Sequence, residues 1–291
     1  MQRSVKRVAA IHDLSGFGRA ALSAVIPVLS TMKAQVCPVP TAILSTHTGE
    51  FEDFSFVDLT DSMESYIAHW EKLGIEFDCI YSGFLGSTKQ IDIVSKFIDI
   101  FGNDQNLKVV DPVMADNGEL YTTMSNEMIE HMRRLIQKAD IITPNFTEAA
   151  YLLNEPYTKD ISEDTIKQWL MRLSDIGPEI VIITSVPHTK ISKNTSVIAY
   201  DRKCNKFWKV SCLYIPAFFP GTGDVFTSVL VGSLLQGDSL PIALDRSVQF
   251  ITSAIRASYG CDYPQREGVL LERVLENLKM PVIVSSYELL K

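Results

Sequence analysis

Short apolar runs bounded by polar loops alternate with longer amphipathic stretches along almost the whole chain. Residues 5–11, "VKRVAAI", have the continuous apolar pattern of a buried strand, and residues 19–32, "RAALSAVIPVLSTM", follow as a helix. Residues 35–44, "QVCPVPTAIL", read as a second extended run. "FDCIYSGFLG" at 77–86 predicts a strand and its loop, and "KQIDIVSKFIDIF" at 89–101 a helix. The alternation recurs in "LKVVDPVM" (107–114, strand), "NEMIEHMRRLIQKA" (126–139, helix), "DIITPN" (140–145, strand) and "EIVIITS" (179–185, strand). Strands alternating with helices imply an α/β fold with a mostly parallel sheet and helices on both faces. Residues 196–215 depart from this rhythm: two β-rich halves around a polar middle predict an antiparallel hairpin at one edge. Two successive helices, 222–237 and 240–260, complete the pattern. With no internal repeat, low-complexity tract or long linker, a single domain over residues 1–291 is expected.

Composition sharpens this picture mainly by exclusion. A hydrophobic fraction of 46% and a charged fraction of 21% are ordinary for a globular protein with a sizeable core. The net charge of −8 argues against a nucleic-acid surface, and no apolar run approaches the roughly 20 residues of a membrane helix. The first apolar run is short and leads directly into "SGFGRA", unlike a signal peptide. The five cysteines show no paired C-x-x-C spacing, so free thiols in a reducing, cytoplasmic setting are expected.

Ligands of open α/β sheets bind beyond the carboxyl ends of the strands. The loops expected there hold "HDLSGFG", "STHTGE", "SGFLG", "DPVMAD", "TPNFTE" and "TSV". Two glycine-rich turns stand out. "GFGRAA" at 16–21 fits G-x-G-x-x-A, but the acid that should hold a ribose hydroxyl about 20 residues on is missing from "KAQVCPVPTAIL". It therefore reads as a tight strand-to-helix turn, and an NAD-dependent oxidoreductase becomes the weaker alternative. "PGTGD" at 220–224 precedes an apolar helix, where glycines admit close backbone approach and free N–H groups favour an anion. Taken alone, it could equally be a capped helix start with Asp224 in the first turn.

Five ordered motifs break the tie. "STHTGE", "SGFLGS", "DPVM", "ADIITPNFTEAAYLL" and "GTGDVFTSVLVGSLLQG" resemble, in order, segments of the vitamin B6 (pyridoxal/pyridoxine/pyridoxamine) kinases of the ribokinase-like superfamily. The resemblance implies a three-layer α/β/α sandwich that uses ATP to phosphorylate the 5′-hydroxymethyl group of a B6 vitamer. It implies Asp224 as the base toward that hydroxyl and the backbone of Gly221, Thr222 and Gly223 as an anion hole. Asp111, Asp116 and Glu148 match positions that handle Mg²⁺ or a monovalent cation such as K⁺. Thr143, Asn145, Glu148, Thr184 and Ser185 match the nucleotide side. Thr46, His47, Thr48, Gly83, Phe84 and Tyr121 match the substrate side, and His12 borders it. Asp13 departs from the serine that many of these kinases place against the ring. It could accept from the ring hydroxyl or pair with a protonated pyridine nitrogen. Hydroxymethylpyrimidine kinases share the fold and chemistry, so the pyrimidine alcohol is the alternative substrate. A non-catalytic vitamer-binding protein is a third reading, and the family tendency implies a homodimer.

Overall fold

The computed structural model describes residues 5–187, 194–280 and 286–290. In chain order, β1 (Lys6–Phe17), α1 (Leu22–Thr31) and β2 (Ala34–Thr46) are followed by β3 (Phe56–Asp58), α2 (Thr60–Lys72) and β4 (Cys79–Ser82). Next come α3 (Thr88–Phe101), β5 (Leu107–Val110), β6 (Ala115–Asp116), β7 (Glu119–Leu120) and α4 (Asn126–Ile136). β8 (Ile141–Ile142), α5 (Phe146–Leu153), α6 (Glu163–Ile176) and β9 (Ile180–Pro187) precede β10 (Asn194–Asp201) and β11 (Lys206–Leu213). The chain continues through α7 (Thr222–Leu235), α8 (Leu240–Tyr259) and short 3-10 turns to β12 (Tyr287–Leu290). These elements form two compact units: Met1–Gly83, Asn103–Asn106 and Ile215–Ser285, and Phe84–Gly102, Leu107–Tyr214 and Ser286–Lys291.

In the first unit, β4, β1 and β2 run parallel and β3 adds antiparallel outside β2. β1 runs six residues beyond the expected 5–11, because "HDLSGF" continues to pair along β2 as far as Phe17 opposite Thr46. The register slips between His12 and Leu14, where β2 carries one extra residue, and Asp13 sits at that irregularity. Bulges of this kind recur beside functional sites because they re-aim side chains. α1, α7 and α8 share a core of Ala24, Val28, Val225, Val229, Phe250 and Ala254. Every residue of α7 from Val225 to Ser233 is buried, which is why its sequence is apolar on all sides instead of striped.

In the second unit, β5, β8 and β9 are parallel, whereas β9, β10, β11 and β12 pair antiparallel in that order. The expected hairpin is β10–β11, but it is not outermost here. β12 pairs Tyr287–Leu290 along β11, a return that four residues do not announce in sequence. α2, α5 and α6 were likewise not expected. β6 and β7 form a hairpin around Asn117 (φ 52°) and Gly118 (φ 88°), the paired positive φ of a tight two-residue turn. Phe146, at the start of α5, stacks on Trp169 of α6 with ring centroids 5.2 Å apart, which fixes where α5 begins.

The start of α7 is set by Gly221, which takes φ 80° as the helix N-cap residue. A methyl group there would drive into the Arg19 carbonyl oxygen and lie 2.9 Å from Ala20 Cα, both rigid backbone. Gly221→Ala therefore meets strain and collision together, and a loss of at least about 2 kcal/mol is expected. Urea unfolding checks this; an unchanged midpoint would contradict it.

Candidate active site

Asp224 lies in the first turn of α7, half-buried, with the neighbouring Gly223 exposed. Its Oδ2 accepts a hydrogen bond from Ala21 N–H at 2.8 Å. Ala21 holds φ 49° and ψ −135°, a conformation unfavourable for a residue with a Cβ. The strained turn is what aims this N–H at the carboxylate. On the other side, His12 Nδ1 is 3.6 Å from Asp224 Oδ1. The His12 ring is fully buried and meets Tyr81 edge-on at 4.4 Å, while the Tyr81 hydroxyl lies 3.5 Å from the Asp224 carbonyl oxygen.

Asp13 is buried in the same unit, and its Oδ2 accepts from Ser15 Oγ at 3.1 Å. Burial, reinforced by the nearby Asp224 charge, pushes its carboxyl up to about 6, against the opposing pull of Ser15 and His12. Gly83 is buried beside His12, and a Cβ at Gly83 would collide with the imidazole. Among the expected substrate-side residues, Thr46 Oγ1 is buried with no hydrogen-bond partner among the described residues. Thr48 is exposed, and Phe84 is half-buried in the second unit.

His47 differs from expectation in what it has left to offer. Gly49 N–H donates to its Nδ1 at 3.1 Å, so Nε2 carries the proton and donates to the Arg266 carbonyl at 2.6 Å. Both nitrogens are engaged within the chain, and burial lowers its basicity. Phe51 packs edge-on against its ring at 4.9 Å. "GFGRAA" spans the end of β1 and the turn into α1, with Gly18 at φ 94° and a Cβ there only 2.6 Å from the His47 ring.

The second unit gathers a different set. Glu148 completes a capping box at the start of α5: Asn145 Oδ1 accepts from Glu148 N–H, and Glu148 Oε2 accepts from Asn145 N–H at 2.7 Å. Glu148 Oε1 accepts from Met114 N–H at 3.0 Å. Despite these donors, complete burial and the neighbouring Asp111 hold its carboxyl well above the ordinary range. Asp111 is buried too, and Thr143 lies buried at the end of β8. Thr184 bridges Asn145, and Ser185 is exposed at φ 56°. Asp116 sits in the β6–β7 hairpin and accepts from Asn117 N–H at 2.8 Å. Among the described residues no three of His, Cys, Asp and Glu converge, so Asp111, Asp116 and Glu148 do not form one cluster. The hairpin is pinned to α5 by Gly118 N–H on Thr147 Oγ1 (3.1 Å), Tyr151 O–H on the Gly118 carbonyl (3.3 Å) and Asn145 Nδ2 on the Ala115 carbonyl (2.7 Å). Tyr121, just past the hairpin, is exposed. Sequence reading missed Ala21 and Tyr81 altogether; the Asn117-Gly118 pair was the one available signal for the hairpin.

A family model described as phosphomethylpyrimidine kinase matches residues 16–268. A protein from Bacteroides thetaiotaomicron, named as a phosphomethylpyrimidine kinase and crystallised with pyridoxal, is 57% identical; it superposes with a TM-score of 0.95 over 99% of this chain and 100% of its own. The pyridoxal kinase from Lactobacillus plantarum is 30% identical with a TM-score of 0.86, over 94% of this chain and 97% of its own. The Arabidopsis thaliana pyridoxal kinase is 28% identical over 268 residues, 88% of this chain and 78% of its length.

The Asp13 environment has a consequence for stability. The folded protein keeps this proton up to about pH 6, whereas an unfolded Asp releases it near 3.8. Between those values the native state binds the extra proton, so this group's contribution to stability falls as pH rises and levels off above 6. Asp13→Asn removes that fall. Relative to the parent, the variant should gain up to about 3 kcal/mol on going from pH 4 to pH 7. Urea unfolding at both pH values checks this, and a difference independent of pH would contradict the assignment.

Proposed function

The chain belongs to the phosphomethylpyrimidine kinase family and has the ribokinase-like fold of the pyridoxal kinases; from that premise we propose that it transfers the γ-phosphoryl group of ATP to the 5′-hydroxymethyl group of a B6 vitamer. The observation that carries this reading is Asp224 itself, a carboxylate in the first turn of α7 with one oxygen fixed by Ala21 N–H. The 57% identical relative holding pyridoxal supports the vitamer as substrate.

In the proposed step the substrate oxygen forms a bond to the γ-phosphorus while the bond from that phosphorus to the bridging oxygen breaks, its electron pair leaving with ADP. Asp224 takes the hydroxyl proton and later releases it to water. Phosphoryl transfer has a loose transition state, so positioning and charge stabilisation dominate over base strength. N–H groups of Gly221, Thr222 and Gly223 at the α7 start supply donors and the favourable end of the helix dipole for the phosphate oxygens. Asp13, Gly83, Thr46, Thr48 and Phe84 are assigned to the vitamer, His47 through its ring alone. Thr143, Asn145, Glu148, Thr184 and Ser185 are assigned to ATP, and Tyr121 to the vitamer. One kinase domain over residues 1–291 is part of the proposal.

The second unit also suits Mg²⁺. Asp111 and Glu148 offer only oxygen donors, and their mutual repulsion in a buried setting would be relieved by a cation. Mg²⁺ commonly keeps waters and phosphate oxygens as its other ligands. When bound it would neutralise charge on the transferring phosphates; Asp111 and Glu148 would hold it, with Asp116 reserved for its waters or a K⁺-like ion. A cytoplasmic homodimer completes the proposal; none of the five cysteines is in a disulfide, and no described helix is long and apolar enough to cross a membrane.

Parallel assays with ATP, Mg²⁺ and pyridoxal, pyridoxamine or hydroxymethylpyrimidine test the substrate. The highest kcat/KM is expected for a B6 vitamer, and a better value for the pyrimidine overturns that choice. Asp224→Asn should lower kcat by about 10²–10⁴-fold while ATP binding stays within a few-fold. Near-normal turnover in that variant would remove Asp224 from the role of base.

A further inference from the structure

An imidazole buried without hydrogen-bond partners is costly, and one that persists calls for a physical reason. His12 is fully buried, and neither ring nitrogen has a hydrogen-bond partner among the described residues. Packing alone does not account for it, since the site is shaped around the ring. Gly83 is the residue type that leaves room for the imidazole, and Tyr81 braces it edge-on. Its Nδ1 points at Asp224 Oδ1 from 3.6 Å, just beyond hydrogen-bond length. A shift of about 0.7 Å would close that gap to an ordinary bond.

We propose that His12 is a positioning residue for Asp224: its Nδ1–H engages Oδ1 as substrate binds, so that Ala21 N–H and His12 clamp the two oxygens of the base. This rests on the reading of Asp224 as the base. The groups facing the pair are few and can be named. From β1 come His12 and Asp13, the latter's carboxyl interacting with both His12 and Asp224; from β4 comes the Tyr81 hydroxyl, at the Asp224 carbonyl; and the His47 ring feels the Asp224 charge. Of these, His12 is the side chain positioned to donate to Oδ1. A donor there favours the ionised carboxylate, so its loss should appear in the pH dependence of turnover.

The test compares His12→Leu with His12→Asn, near-isosteric side chains of which only Asn can place an N–H near the position of Nδ1. His12→Leu should lower kcat about 10–100-fold, as expected for losing a hydrogen bond to a charged group. It should also move the acid limb of the kcat/KM profile to higher pH and leave ATP affinity unchanged. His12→Asn should recover most of the rate and return the limb toward its parental position. His12→Val replaces His12→Leu in the comparison should the latter fold poorly, as judged by its unfolding midpoint. An unshifted acid limb in the apolar variant, or an Asn variant no better than the apolar one, overturns the proposal. Asp224→Asn measured alongside separates the two levels. Normal turnover there removes the base reading itself, whereas an inactive Asp224→Asn with an unshifted His12→Leu removes only the role of His12.

Discussion

The chemistry proposed for the first unit depends on one joint, where the turn between β1 and α1 touches the start of α7. Three segments far apart in sequence meet there. Arg19 N–H donates to the Glu267 carbonyl at 3.0 Å, the Arg19 carbonyl leaves no space for a side chain at Gly221, and Ala21 N–H reaches Asp224. The strain at Ala21 is stored in this joint and persists because the packed helices around it over-determine the backbone. A carboxylate at an exposed helix start would rotate freely. Here one oxygen is fixed by backbone, and backbone cannot be repositioned by a rotamer change.

Each unit buries an acid beside another acid, and the two handle it differently. Glu148 accepts from backbone N–H groups, those of Met114 and Asn145 among them, and is still held high, because complete burial and Asp111 outweigh them. Asp13 receives one hydroxyl and the influence of His12, and settles at about 6. Neither arrangement is what stability alone would select, since an apolar replacement of similar size avoids the desolvation cost altogether. Local rules broken at particular residues, within a fold that obeys them elsewhere, mark positions kept for chemistry. The ordinary regions of this chain show the contrast: α3 and α4 bury one stripe each and carry side-chain caps at Ser87 and Ser125.

How much of this was legible depends on whether the signal is local. The strands of the parallel regions and helices α1, α3, α4 and α8 could be read because each carries its own local pattern, and α7 because a long apolar run follows its glycine turn. The α7 start was legible too, since a G-T-G-D turn before an apolar helix has few structural meanings. α5 was missed because it is short and mostly buried, so its eight residues show no polar face. β12 was missed because four residues cannot announce a partner some 80 positions earlier. The least legible feature is His12. A histidine inside an apolar strand has no periodic signature, and its neighbours in sequence say nothing about Tyr81, Gly83 or Asp224. Only the pairing of β1 with β4, and the packing of α7 against the turn after β1, bring these residues together. The ring's burial and the direction of its Nδ1 are therefore properties of the fold alone, whereas the Asp224 it faces was visible in the sequence. The acid proposed as base can be found by motif; the group proposed to orient it has to be found by geometry.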